Sequence, residues 1–171
     1  MMIRKAQAGD EKAIAAVHVQ SWKETYRGLI KDEILEKLDV KERERNWKIT
    51  IENNQIVYAA CDDHGQIVGF ASGGKNRHKP FPHEGELYAI YLLAEHQGKG
   101  LGKNLFLRTM EAIKNSGCQS ILVWVLSENP TRFFYESFGC VKLGEAYIDR
   151  LEVEEIAYGY SDLTFLGDNR P

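Results

Sequence analysis

The spacing of hydrophobic positions is helical in the first third of the chain. Apolar side chains recur at helical spacing over residues 11–26, which predicts one helix there. Asp10 is placed to cap this helix, because a carboxylate at the N-cap can accept hydrogen bonds from the first-turn amides. A second helical pattern over residues 31–53 predicts two helices that meet near Asp39.

Shorter runs with strand-like patterning fill much of the remaining chain. The predicted strands are 2–7, 56–61, 66–73, 86–93, 120–126, 141–148 and 153–163. Two further helices are predicted over 101–116 and 130–138, and a glycine follows each of them, as is common at helix ends. The order β-α-α-β-β-β-α-β-α-β-β predicts an α/β sandwich built on a mixed sheet. Residues 1–171 are expected to form a single domain.

Composition narrows the class of protein. Apolar residues make up 43% of the chain and charged residues 27%, which is typical of a globular protein. The formal net charge of −3 argues against nucleic acid as the main partner, because binding it favours a basic face. No apolar run is long enough for a membrane span or a signal peptide, so we expect a cytoplasmic protein with no membrane partner. The three cysteines are far apart and form no CxxC pair, which gives a metal site no support.

A glycine-rich segment, Gln97-Gly98-Lys99-Gly100-Leu101-Gly102, lies between a predicted strand and a predicted helix. Such a turn can hold phosphate, because the first amides of a helix lack an acceptor and glycine allows close approach. A dinucleotide-binding fingerprint would need a third glycine where Lys103 stands. A P-loop would need a glycine in place of Gln97 and a serine or threonine in place of Asn104. What remains is the pattern Q-x-x-G-x-G.

This pattern resembles the pyrophosphate-binding segment of the GNAT superfamily of acyl-CoA-dependent N-acyltransferases. The strand and short loop over 90–96 and the N…FYE…G segment over 129–139 resemble two further family segments, in the same order. The resemblance implies a mixed, mostly antiparallel sheet of about seven strands with helices on both faces, an α+β arrangement. It also implies a splayed pair of parallel strands, near Leu92 and near Trp124, that form the acyl-CoA cleft.

The resemblance implies acetyl-CoA as the cosubstrate and no metal. The strand backbone before the glycine-rich turn is expected to pair with the pantetheine arm, and the turn amides are expected to bind the pyrophosphate. Lys99 or Lys103 can add a charge-assisted contact. The expected cofactor-binding residues are Ile90, Tyr91, Leu92, Gln97, Gly98, Lys99, Gly100, Leu101, Gly102, Lys103 and Asn129.

The implied reaction is direct attack of a primary amine on the thioester. An alkylammonium has a pKa of about 10.4, so forming the neutral amine at pH 7 costs about 4 to 5 kcal/mol and a proton acceptor is needed. Glu86 lies eleven positions before Gln97 and matches a strand glutamate that acts as the base in some family members. Tyr135 matches the tyrosine that acts as the general acid near the CoA sulfur.

Strand alternation predicts that Glu86, Tyr88, Ile90 and Leu92 share one face of their strand. The expected acceptor-binding residues are Trp22, Tyr26 and Tyr88. Because Trp22 and Tyr26 are four residues apart, they are equally suited to anchoring the first helix in the core.

Sequence leaves the acceptor open among small-molecule, amino-acid, peptide and protein amines. A homodimer is a further expectation from the family. The alternative to an enzyme is an acyl-CoA-binding sensor or interaction module with little catalytic activity.

Overall fold

The computed structural model of the protein describes residues 1–77 and 80–163. Its strands are β1 (Met2–Lys5), β2 (Ile56–Cys61), β3 (Ile67–Lys75), β4 (Gly85–Leu92), β5 (Ile121–Leu126), β6 (Val141–Ile148) and β7 (Val153–Tyr160). Its helices are α1 (Glu11–Tyr26), α2 (Asp32–Glu36), α3 (Val40–Glu52), α4 (Leu101–Asn115) and α5 (Arg132–Ser137), with a short 3-10 turn at Ala94–His96. Every predicted element is found, and the pattern over 31–53 forms two helices as expected.

The cap of α1 and the start of α5 differ from the prediction. The Asp10 carboxylate accepts hydrogen bonds from the Arg4 guanidinium at 2.6 and 2.8 Å and from the Gln7 amide at 2.8 Å. It therefore ties β1 to the start of α1 and makes no cap bond to the first-turn amides of α1. Helix α5 begins at Arg132, two residues later than predicted, because Asn129 closes a turn ahead of it by accepting from the Thr131 amide at 3.0 Å.

The strands form one seven-stranded sheet in the order β1-β2-β3-β4-β5-β7-β6. The pairing of β4 with β5 is parallel and the others are antiparallel. On one face, residues of α1 and α3 such as Ile14 and Trp47 pack against Phe70 of β3. On the other face, residues of α4 and α5 such as Phe106 and Tyr135 pack against Val123 of β5. The predicted mixed sheet with helices on both faces is confirmed.

The two parallel strands separate part-way along their length. Strands β4 and β5 pair from Gly85↔Ile121 only as far as Leu87↔Val123. Beyond that point β4 stays paired with β3 up to Leu92, and β5 stays paired with β7 up to Leu126. The facing edges of β4 and β5 are therefore left without a strand partner, and the predicted splay is confirmed.

A β-bulge lies where this separation begins. Ser72 and Gly73 are adjacent in β3, but they pair with Ala89 and Leu87 of β4, so Tyr88 is an extra residue in β4. A bulge bends its strand and shifts the alternation of side chains by one residue.

The bulge changes which side chains of β4 share a face. Leu87, Ile90 and Leu92 all pack in the clusters on the α4 face. Tyr88 and Glu86 lie on the opposite face, where a Cβ on Gly74, the β3 partner of Glu86, would lie 2.7 Å from the Tyr88 hydroxyl. The expectation that Glu86 and Tyr88 share a face with Ile90 and Leu92 is therefore wrong.

None of the helices within the described ranges is long and apolar enough to cross a membrane. That the whole chain is one domain stays a prediction, since residues 164–171 lie outside the described residues.

Candidate active site

A cleft of about 460 Å³ opens where β4 and β5 separate. Its walls are the two free strand edges, the C-terminal end of α1, the glycine-rich turn and the start of α5. The lining residues are Thr25, Tyr26, Leu87, Tyr88, Ala89, Ile90, Tyr91, Leu92, Gln97, Gly98, Gly100, Gly102, Lys103, Val123, Trp124, Val125, Asn129, Thr131, Phe134 and Tyr135. A strand edge without a partner presents alternating N–H and C=O groups, so an extended amide-containing chain can pair with it.

The glycine-rich turn presents a row of free amides at one end of this cleft. Within the described chain no acceptor receives the backbone N–H groups of Gly98 to Lys103. Gly98 and Gly100 have φ values of 72° and 82°, in the left-handed region that favours glycine. These amides and the positive end of the α4 dipole together form a site suited to a phosphate group.

The side chains of this turn differ in what they contact. Gln97 donates from Nε2 to the Leu92 carbonyl at 3.1 Å, which fastens the turn to the end of β4. Lys103 lines the cleft. Lys99 donates to the Glu95 carbonyl at 2.8 Å and Leu101 is buried in the core, so neither side chain lines the cleft. Their backbone amides remain part of the free row.

Helix α5 and the turn before it bring Asn129 and Tyr135 to the opposite wall. Tyr135 is 6% exposed and lines the cleft, and its hydroxyl has no hydrogen-bond partner within the described ranges. Burial raises the pKa of Tyr135, with a smaller contribution from Tyr26, so its hydroxyl stays protonated at neutral pH and can donate a proton. Asn129 is 3% exposed, and its Oδ1 is occupied by the Thr131 amide.

Of the three residues expected at the acceptor side, two line the cleft. Tyr26 does so at the end of α1, and its hydroxyl lies 2.9 Å from the Tyr91 hydroxyl. Tyr88 also lines the cleft, while its hydroxyl donates to the Lys75 carbonyl at 2.6 Å. Trp22 lies behind Tyr26, with the two rings 5.1 Å apart in an edge-to-face arrangement, so it supports the wall of the cleft.

Glu86 is held outside the lining of the cleft. The residue is 2% exposed, and its carboxylate accepts from Arg77 through the main-chain amide at 2.8 Å, Nη2 at 2.7 Å and Nε at 3.3 Å. The same guanidinium lies 3.7 Å from the centre of the Tyr88 ring. The structure therefore brings Tyr135, Tyr26 and Tyr88 together along the cleft and places Glu86 beside them, bound to Arg77.

The sequence model of the acetyltransferase (GNAT) family matches residues 18–140. Over 166 residues the chain is 37% identical to an uncharacterized N-acetyltransferase, YuaI, of Bacillus subtilis (strain 168), and the match covers 96% of this chain and 95% of that protein. The chain belongs to the GNAT family of acetyltransferases. It is therefore an acyltransferase by family.

Two further comparisons agree with this GNAT membership. A spermidine N(1)-acetyltransferase of Thermoplasma acidophilum is 27% identical over 144 residues, with 80% of this chain and 86% of that protein covered. The crystal structure of PaiA N-acetyltransferase from Thermoplasma acidophilum, in complex with coenzyme A, superposes with a TM-score of 0.71 at 24% identity. That superposition covers 93% of this chain and 98% of the other, and it supports the GNAT fold.

Several cleft residues of this GNAT protein were not predicted individually. They are Thr25, Leu87, Ala89, Val123, Val125, Thr131 and Phe134. The two valines are on β5, and the family resemblance places a strand of the cleft near Trp124, so that signal was present in the sequence. No sequence signal indicates the contact of Arg77 with Glu86, because Arg77 lies in an irregular loop. Tyr158 and Tyr160 pack against the core on the α4 face and are not among the cleft residues.

Proposed function

We propose that this GNAT protein transfers the acetyl group of acetyl-CoA to a primary amine by direct attack. The observation that carries the proposal is the cleft itself, in which two free strand edges lead to the free amides of Gly98 to Lys103. The strand edge of β4 suits the amides of the pantetheine arm, and the turn amides with Lys103 suit the pyrophosphate. The protein's residues thus fit the shape and charge of the donor.

The side chains around the cleft support roles in the transfer. We assign Tyr135 as the general acid for the departing sulfur, because it lines the cleft and its hydroxyl is protonated and unpaired within the described residues. The amine nitrogen bonds to the thioester carbon and the carbon–sulfur bond breaks. The amine loses a proton and the sulfur gains one, so the products are an N-acetylated amine and CoA. The cleft residues expected to bind the cofactor, among them Asn129 and Gln97, hold the donor, and Tyr26 and Tyr88 line the part of the cleft assigned to the acceptor.

Proton removal from the amine is assigned to Glu86. Since its carboxylate is buried and does not line the cleft, the proton reaches it through a water molecule and not by direct contact. Arg77 holds the carboxylate in place from the outer side. This assignment explains why a charged group is kept beside the point where β4 and β5 separate.

One observation favours a second candidate function, an acyl-CoA-binding sensor. The carboxylate expected to act as the base is fully engaged by Arg77, and a GNAT domain without an effective base binds the donor and turns over slowly. The free amides and the cleft serve donor binding equally well in either case.

An amine panel with acetyl-CoA separates the two functions. The panel contains spermidine, because a relative is named for it, together with free amino acids, a peptide with a free N-terminus and a lysine peptide. Release of CoA thiol above the rate without amine supports the enzyme. Tight acetyl-CoA binding by calorimetry with no release across the panel supports the sensor.

Compartment and assembly follow as smaller proposals. Cys61, Cys118 and Cys140 are free and buried, which suits the reducing cytoplasm. Strand β6 lies at one end of the sheet, and pairing of two copies along it is the geometry we propose for a homodimer.

A further inference from the structure

Two tyrosine hydroxyls meet at the wall of the cleft, and neither is explained by donor binding alone. Tyr26 is the last residue of α1 and Tyr91 is on β4, and both line the cleft. Their hydroxyl oxygens are 2.9 Å apart, and their rings meet edge to face with centres 6.3 Å apart. In this hydrogen bond one hydroxyl donates and the other accepts, so the direction decides which of them keeps a free O–H.

Aromatic packing fixes the two rings. Tyr91 stacks on His18 at 5.5 Å with 22° between the ring planes, and Tyr26 meets Trp22 edge to face at 5.1 Å. His18 is itself held by Trp47, whose indole N–H donates to Nδ1 at 3.2 Å. Because the rings are held on several sides, the hydroxyl pair is placed before a ligand binds.

The direction of this bond matters for the cleft. Either hydroxyl can be the donor. The indole N–H of Trp22, whose ring meets Tyr26 edge to face, is buried and has no hydrogen-bond acceptor within the described ranges. When the Tyr91 O–H donates to Tyr26, the Tyr26 O–H is left free to donate into the cleft.

The Tyr26 side chain also lines the same cleft as the assigned acid, Tyr135. Tyr26 acts electrostatically on Tyr135 and raises its pKa, after the larger effect of burial. Burial likewise raises the pKa of Tyr26 itself, so both hydroxyls are neutral donors at pH 7. If Tyr135 serves the sulfur of the thioester, Tyr26 lines the same cleft that holds the adjoining carbonyl group.

We propose that the Tyr26 hydroxyl donates a hydrogen bond to the thioester carbonyl oxygen and stabilises the negative charge that develops there as the amine attacks. Tyr91 is a positioning residue that donates to Tyr26 and leaves the Tyr26 O–H directed at the carbonyl. Linked hydrogen bonds in a buried site polarise one another, so the bond from Tyr91 makes Tyr26 a stronger donor. This inference rests on the proposed use of acetyl-CoA and assigns to Tyr26 a catalytic role beyond acceptor binding.

The first test does not depend on the acceptor. Acetyl-CoA labelled with carbon-13 at the thioester carbonyl is bound to each protein, and the carbonyl stretch is recorded by infrared difference spectroscopy. A hydrogen bond lowers this frequency, so we expect it to be lower on the wild type than on Tyr26→Phe, with Tyr91→Phe between them. Tyr58→Phe is the control, because it removes a hydroxyl from β2 outside the cleft. We expect its carbonyl frequency to equal that of the wild type.

The second test uses turnover of an amine from the panel. We expect Tyr26→Phe to lower kcat by about 100-fold, the usual effect of losing one donor to a developing oxyanion, with a smaller loss for Tyr91→Phe. The dissociation constant for acetyl-CoA stays near the wild-type value in both. Thermal melting of each variant confirms that it is folded before its spectrum is interpreted.

The outcomes separate this inference from the proposed function. An unchanged carbonyl frequency in folded Tyr26→Phe overturns the inference, and a raised KM for the amine in the same variant makes Tyr26 an acceptor-binding residue instead. A shifted frequency without turnover on any amine supports the hydrogen bond and counts against the enzyme. Failure of the wild type to bind acetyl-CoA overturns both.

Discussion

Substitution of Gly100 by alanine tests whether the conformation of the glycine-rich turn determines donor binding. Gly100 is the N-cap of α4, with a φ of 82°. A Cβ there would meet no atom within 4 Å, so the substitution causes no clash. Its cost is the left-handed conformation, about 1 to 2 kcal/mol for a residue with a Cβ. Gly117, just beyond the other end of α4, has a φ of 101° and equally open surroundings, and it serves as the control.

The two variants are expected to lose similar stability and to differ in binding. Each should lower the melting temperature by about 2 to 8 °C, the shift that 1 to 2 kcal/mol produces in a domain of this size. Relief of strain at residue 100 turns the amides of Leu101 and Gly102 away from the pyrophosphate. Loss of one hydrogen bond to a charged group costs about 1.5 to 3 kcal/mol, which raises the Kd for acetyl-CoA about 10- to 150-fold.

Isothermal titration with acetyl-CoA and thermal melting give the two quantities on the same samples. The reasoning is refuted if Gly100→Ala melts lower but binds acetyl-CoA within about twofold of the wild type. It is equally refuted if Gly117→Ala weakens acetyl-CoA binding as much as Gly100→Ala does. The affinity would then depend on the overall stability of the protein and not on the conformation of the glycine-rich turn.

Three further predictions concern side chains. Tyr135→Phe should lower kcat by about 100-fold and leave acetyl-CoA affinity unchanged, as expected for loss of a general acid, and an unaltered kcat in steady-state assays would remove it from that role. Glu86→Gln should abolish the limb on which kcat/KM rises with pH; if the pH profile is unaltered, another group accepts the proton. Burial lowers the pKa of His18 to about 3. Below about pH 6.5 the histidine is protonated in the unfolded chain but stays neutral in the folded protein, so the free energy of unfolding decreases as the pH falls towards 3. Between pH 7 and pH 5 the wild type should lose about 2 kcal/mol more than His18→Gln in urea unfolding, and equal losses would contradict the buried neutral imidazole.

Local patterns were sufficient to predict most element bounds. Ile56–Cys61 and Val141–Ile148 form strands with the predicted bounds, because alternation and neighbouring turn residues are properties of the segment itself. The glycine-rich turn was found from its glycines between a predicted strand and a predicted helix, and the family resemblance then identified its ligand. Its free amides follow from the way any helix begins. The prediction that Asp10 caps α1 was wrong because it considered only the local sequence. The Asp10 carboxylate binds Arg4, which belongs to a different element, β1.

The arrangement of Glu86 could not be predicted from local sequence. Its carboxylate meets Arg77 nine residues earlier, across a loop whose path depends on the pairing of β3 with β4. A glutamate on a strand looks the same in sequence whether it faces a cleft or a guanidinium. Sequence therefore indicated the residue and left its surroundings undetermined.

The bulge at Tyr88 explains why the tyrosine pair was missed and why it exists. Leu87 faces α4, and plain alternation from it would turn Tyr91 towards α4 as well. The extra residue reverses this, so that Ile90 faces α4 and Tyr91 faces α1, where it meets Tyr26. A bulge is defined by the register of two strands and not by the sequence of one. The extra residue thus lies where the sheet opens and places Tyr91 on the same face as Tyr26.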